Sequence, residues 1–243
     1  MNLEEQLIEW RHYFHQYPEF GFEETLTSDF VAKTLESFGI EVHRNIGKTG
    51  LVGILKKGSS TKSIGLRADF DALKIQEDNK VTYCSKTEGM MHGCGHDGHT
   101  AMLLGAAVQL SNEIDFDGTV YFIFQPAEEQ GTGAKAMIED GLFTRWKIDS
   151  VYAMHNLPGE EVGNFLISPN SVMASENHFK IEVLAGGGHA AMPHLGQDPI
   201  ITACNIGVAL QTIITRELDS IHEPAVLTVT NIETNGGANV IPT

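Results

Sequence analysis

Thr119-Val120-Tyr121-Phe122-Ile123-Phe124-Gln125 is a near-continuous apolar run of strand length. A strand with one wet face alternates apolar and polar residues. A run without alternation suits a central strand buried on both faces, the habit of α/β sheets. This run ends at Pro126-Ala127-Glu128-Glu129, and Gly131-Thr132-Gly133 follows. A surface pair of glutamates is ordinarily solvated charge. A pair just past the end of a buried strand lies where open α/β sheets gather functional groups. Two adjacent carboxylates in such a place can divide labour, one binding a metal and the other moving a proton.

Upstream, the pattern predicts short strands over 41–44, 50–55 and 63–68, with a polar hairpin turn at Lys56-Lys57-Gly58-Ser59-Ser60. The strand Ile64-Gly65-Leu66-Arg67-Ala68 delivers Asp69-Phe70-Asp71 at its end. Aspartate at a strand end serves turn chemistry as readily as catalysis. Downstream, a strand over 150–154 ends at His155-Asn156-Leu157-Pro158. Two helices are expected first, over 3–17 (Leu7, Trp10, Phe14 and Tyr17 at helical spacing) and 25–38, the second stopped by Gly39. His12 and His15 read as surface or packing residues of the first. A short helix is expected over 135–140, stopped by Gly141.

Met91-His92-Gly93-Cys94-Gly95-His96-Asp97-Gly98-His99 concentrates imidazole, thiolate and carboxylate, the donors that hold first-row transition metals. Its glycines allow the tight backbone that convergence needs. The bland alternative is a polar loop entering the apolar helix expected over 100–110. As a ligand, Cys94 binds as thiolate. Cys84 and Cys204 have no such neighbours and read as buried or incidental.

From about Ser175 the texture changes. Phe179, Ile181 and Val183 alternate with His178, Lys180 and Glu182, a strand period with one wet face. Gly186-Gly187-Gly188-His189 follows, then a helix over 198–215 and a strand over 225–233. This reads as a separate α+β module, and it sets the expected domains at 1–174 and 175–243.

The 243 residues suit one large or two modest domains, and the 42% hydrophobic content is ordinary for a globular protein. A formal net charge of −16 argues against nucleic acid or an anionic membrane as the main partner, since both require a basic patch. Three cysteines argue against a disulfide scaffold and fit a reducing compartment, so cytoplasm is the default. No basic segment with an apolar core opens the chain, so no signal peptide is expected. No apolar run reaches the roughly 18 residues of a membrane span.

The segment Met-His-x-Cys-Gly-His-Asp-Gly-His-Thr over 91–100 resembles the metal motif of the M20 metallopeptidase family. It is most similar to the amidohydrolase branch of hippurate hydrolases, N-acetyl-amino-acid deacetylases and plant auxin-conjugate hydrolases. Five further segments agree in order: Arg11…His15…Pro18-Glu19…Gly21…Glu24, Arg67–Leu73, Glu128-Glu129, Ala153–Pro158 and Asn239–Pro242. Where the family usually has proline after Leu73, this chain has Lys74, which alters the local turn rather than the chemistry.

The resemblance implies a mixed-sheet α/β/α catalytic domain of zinc-peptidase type with a ferredoxin-like α+β lid, the lid incomplete at the C-terminus. It implies one or two divalent metals, manganese or zinc with cobalt or nickel admitted, held by Cys94, His96, Glu129 and His155. Glu128 is then the general base. Asp71 orients a ligand, and Asp69 occupies a position that is a ligand histidine in other branches. The lid's His189 reaches a partner subunit's site, Asn239 lies near substrate, and the lid mediates a homodimer. The implied reaction is hydrolysis of the amide of a small N-acyl amino acid. The alternatives are an aminopeptidase or carboxypeptidase acting on short peptides, and a truncated metal-binding module without catalysis. Members of the family continue past the residue that matches Thr243 and supply one more metal-binding histidine there.

Overall fold

The computed structural model describes residues 2–219, 221–222 and 224–243. Contacts divide the chain into two compact units, Met1–Asn164 and Phe165–Thr243, a boundary earlier than the expected 174/175.

In the first unit, helix α1 (Leu3–Gln16) starts on a capping box: Asn2 Oδ1 accepts from Glu5 N at 2.9 Å, and Glu5 returns the bond to Asn2 N. Helix α2 (Thr25–Ser37) is capped from a distance. The Glu19 carboxylate takes the free amides of Thr25, Leu26 and Thr27 at 2.8–3.1 Å, where a helix N-terminus favours negative charge. Strands β1 (Glu41–Arg44), β2 (Leu51–Lys57) and β3 (Ser63–Asp69) follow, then α3 (His96–Asn112), β4 (Gly118–Gln125), α4 (Gly133–Glu139), α5 (Leu142–Arg145) and β5 (Ser150–Ala153).

The five strands form one mixed sheet in the order β1-β2-β4-β3-β5. β1 and β2 are antiparallel, as are β2 and β4; β3 runs parallel to both β4 and β5. The apolar run is therefore the central strand, as its composition requires. Its two faces feed two cores. Phe122 and Phe124 pack with Leu35, Leu51 and Leu104 under α1, α2 and α3, while Ile123 packs with Val52, Met137 and Leu142 under α4 and α5. Each such fully buried side chain contributes about 1.5–3 kcal/mol.

The expected hairpin at 56–60 does not join paired strands. β4 lies between β2 and β3, because the most apolar strand takes the position buried on both faces. The connection is held instead by Asp117, whose carboxylate accepts from Ser59 N and Ser60 N at 2.7 Å each.

The second unit contains α6 (Pro199–Thr212), capped by the Asp198 carboxylate, and a two-stranded antiparallel pair, β6 (Gly188–His189) with β7 (Val240–Ile241). A 3-10 turn covers Pro193–Leu195, and a π-helical turn, Ile213–Glu217, follows α6. The strands expected over 179–183 and 225–233 are not formed: among the described residues neither segment has a ladder partner, and Phe179, Ile181 and Val226 are exposed. Alternation marks a chain suited to a pleated half-buried surface, but a strand exists only when its backbone groups are paired.

Candidate metal centre

The parallel strands β3, β4 and β5 end on one edge of the sheet. β3 ends at Asp69, which is in register with Gln125 on β4, and β5 leads directly into Met154-His155. Helix α3 begins at this edge, four residues before the expected start, so His96, Asp97 and His99 occupy its first turn rather than a loop. Gly95 makes the entry at φ +92°, and a side chain there would collide with the Asn156 amide.

His96 is the centre of the arrangement and is fully buried. Its Nδ1 donates to the Asp71 backbone carbonyl at 2.9 Å and lies 3.2 Å from Asp71 Oδ1. Its Nε2 faces Asp69 Oδ2 at 3.6 Å, Glu128 Oε2 at 3.8 Å and Glu129 Oε1 at 3.9 Å. Among the described residues this Nε2 has no hydrogen-bond partner, and neither has the buried Glu129 Oε1. Cys94, His96 and His155 offer ligand atoms within 4.8 Å of one another, as do the Asp69/His96/His99 and His96/Glu128/Glu129 groups. His155 Nδ1 donates to the Asn156 carbonyl at 2.7 Å, which leaves Nε2 for the centre, 3.4 Å from Cys94 Sγ.

The electrostatics favour a cation. Burial pushes the Cys94 thiol up to about 12, reinforced by Glu129 and Glu128. Burial also raises the Glu129 carboxyl, against the pull of His96. Burial would lower His96, but Asp71, Asp69 and Glu129 outweigh it and raise it to about 8. Burial would raise Asp69, but the bond to His99 and the charges of Arg67 and His96 hold it below the usual carboxylate range. Buried unpartnered polar atoms amid several carboxylates, a thiol and imidazoles are a ligand set that fits a divalent metal. His96 Nδ1 is fixed by a carboxylate, the arrangement that orients a ligating imidazole.

Further residues, none of them among the expected ligands, belong to this edge. His99 Nδ1 donates to Asp69 Oδ1 at 2.6 Å, and its Nε2 lies 2.7 Å from Asn156 Oδ1. Asp97 is buried and bonded by His15 at 2.8 Å and Arg11 at 3.2 Å, which ties α1 to the first turn of α3. The bond to Asp97 raises His15 against its burial. Placing the helix start at Gly95 would have exposed the His96/His99 spacing, since residues three apart share a helix face. His92 is buried with both ring nitrogens unpartnered among the described residues, and burial lowers it to about 4. Of the other cysteines, Cys204 is exposed and Cys84 is half-buried, its thiol donating to the Asn79 carbonyl.

In the second unit His189 stands opposite Val240 in the β6–β7 pair, its Nδ1 accepting from Ala191 N at 3.1 Å. The Asn239 carbonyl accepts from Ala190 N at 3.1 Å, so the two residues lie on neighbouring backbone.

A family model described as peptidase family M20/M25/M40 matches residues 65–235. The chain is 46% identical over 242 residues to a hippurate hydrolase of Campylobacter jejuni, covering 100% of this chain and 63% of that protein. It is 46% identical over 243 residues to an N-acetyl-L-cysteine deacetylase of Bacillus subtilis, covering 99% of this chain and 57% of that protein. Among solved structures, a dinuclear metal-binding peptidase of the M20 family from Bacillus subtilis matches with a TM-score of 0.61 at 38% identity, over 65% of this chain and 44% of that one. The chain thus spans 57–63% of the length of these two curated relatives.

Proposed function

The chain belongs to peptidase family M20/M25/M40, and from that premise we propose that it carries the metal centre of a hydrolase that cleaves the amide of N-acyl amino acids. One observation supports this most: the buried His96 Nε2 has no hydrogen-bond partner among the described residues and faces three carboxylates at 3.6–3.9 Å, with Cys94 and His155 alongside. The names of the relatives, a hippurate hydrolase and an N-acetyl-L-cysteine deacetylase, support the amide substrate.

In this reading Cys94, His96, Glu129 and His155 hold one or two divalent ions, manganese or zinc in the first place. Such an ion polarises an amide carbonyl and lowers the pKa of water. Glu128, the more exposed of the pair, takes the proton of the attacking water and returns it to the departing amine nitrogen. Asp71 fixes the His96 tautomer, and through Oδ2 it also accepts from Glu129 N at 3.0 Å. Asp69, held ionised, adds negative charge beside His96. His189 and Asn239 contact substrate, His189 polarising the scissile carbonyl in a partner's site. The protein is a homodimer through its second unit, a reading supported by the exposed Phe165, Phe179 and Leu184 there. Cytoplasm is the proposed compartment, supported by three free cysteines. No helix among the described residues is long and apolar enough to cross a membrane.

The test is metal content and turnover together. After exposure to manganese and zinc, elemental analysis should find one or two ions per chain, lost in Cys94→Ala. Glu128→Ala should keep the metal and lose hydrolysis of N-acetyl and N-benzoyl amino acids. Metal-free protein from both preparations would sink the metal centre. Faster cleavage of dipeptides than of N-acyl amino acids would make the protein a peptidase instead.

A further inference from the structure

Glu24 has no part in the chemistry above, yet its side chain is completely buried. It lies beside the turn that leads from β4 to Glu128. Its Oε1 accepts from Ala127 N at 2.9 Å, and its Oε2 accepts from the Thr49 hydroxyl at 2.5 Å. Ala127 is itself buried at φ +47°, the left-handed region that an L side chain disfavours. Its carbonyl accepts from Gly133 N at 3.0 Å, closing the loop that carries Glu128 and Glu129. A side chain at Gly133 would overlap the Pro126 carbonyl, so the loop has no slack on that side. Beyond Ala127, Asp71 grips the Glu129 amide at 3.0 Å.

A buried carboxylate is a costly partner for one amide, since burial disfavours its charge. Here burial raises the Glu24 carboxyl, while the Thr49 hydroxyl and the Ala127 amide pull it back. Strained backbone persists only where its surroundings over-determine it, and it clusters at sites that need a fixed direction.

We infer that Glu24 is a positioning residue: it holds Ala127 in the left-handed conformation and so sets the direction in which Glu128 and Glu129 project toward His96. The inference rests on the proposed metal centre, and the test separates the two.

The whole chain is stripped of metal and titrated with Zn²⁺ as parent, Glu24→Ala, Glu24→Gln and Val120→Ala. Hydrogen exchange is followed at the Ala127 and Glu129 amides. Glu24→Ala should weaken Zn²⁺ binding about 10- to 100-fold, the usual effect of removing support from a metal ligand, and speed exchange at both amides. Glu24→Gln should stay close to the parent, because its carbonyl oxygen still accepts from Ala127 and its amide can donate to Thr49. Val120→Ala, at the far end of β4, should lower thermal stability and keep Zn²⁺ affinity.

Parent-like affinity in Glu24→Ala overturns the inference. So does an equal loss in Val120→Ala, which would mark a general weakening of the fold. If the parent binds no Zn²⁺, the metal centre fails, and exchange alone decides: unchanged protection of Ala127 in Glu24→Ala refutes its grip, and faster exchange upholds it. Should Glu24→Ala not fold, Thr49→Val frees one oxygen of Glu24 and carries the same test, with a loss of about threefold or more expected.

Discussion

Metal uptake at this site should release protons, and the structure sets how many. The Cys94 thiol, pushed up to about 12 by burial and by Glu129 and Glu128, stays protonated across the neutral range. His96 is raised to about 8 against its burial by Asp71, Asp69 and Glu129. At pH 7 about nine in ten molecules therefore carry its second ring proton. Metal binds thiolate and neutral imidazole, so ligation through Cys94 Sγ and His96 Nε2 expels both protons. The expected release is about two protons per ion at pH 7. Apparent affinity then rises by about 100-fold per pH unit between pH 6 and 7, or about 2.7 kcal/mol. Above pH 8 His96 is already neutral, and the slope slackens to about tenfold per unit, about 1.4 kcal/mol. Calorimetric titration of Zn²⁺ into the metal-free chain, repeated in buffers of different ionisation enthalpy, counts the protons directly. Cys94→Ser should lower the count by about one. A release below one proton per ion at pH 7, or an unchanged count in Cys94→Ser, would refute the ligand assignment.

Asparagine at position 71 has one acceptor oxygen for two donors, His96 Nδ1 and Glu129 N. Asp71→Asn should therefore weaken metal binding about 10- to 100-fold, measurable by competition with a chromophoric chelator. Leu104, fully buried in the core under α1, α2 and α3, should cost about 2–5 kcal/mol on change to alanine in urea denaturation; a loss below about 1 kcal/mol would mean the core relaxes around it. The metal-free fold should also depend on pH through His96, whose folded value of about 8 lies above its ordinary 6.5. That contribution is complete below pH 6.5 and lost as pH rises through 8, about 2 kcal/mol in all, so the thermal midpoint in chelator should fall over that window. A midpoint that rises from pH 6.5 to 8.5 contradicts it.

Much of the first unit was legible because its signals are local. Helical spacing from Leu7 to Tyr17 yields α1, Gly39 stops α2 at φ +73°, and the apolar run 119–125 is the central strand. The candidate residues were legible at strand ends, where Asp69, Glu128-Glu129 and His155 could be picked out one by one. Their convergence was not. Lys56–Ser60 reads as a hairpin turn in isolation, yet β4, many residues later, pairs with both flanking strands. Asn156 looks incidental until β5 lies beside β3 and brings it onto His99 in the first turn of α3. The alternation over 179–183 states a preference that the described residues leave unpaired.

The chain by itself thus determined most of the helical segments, which run is central and which side chains are of metal-binding type, because period and residue type are properties of neighbours in sequence. Only the tertiary structure decided strand order, the start of α3 at His96, the contacts of Asp71 with His96 and Glu129, and those of His99 with Asp69 and Asn156. Those depend on which distant backbone and side-chain groups meet, and backbone hydrogen-bonding groups are alike in every segment until the whole chain has chosen among them.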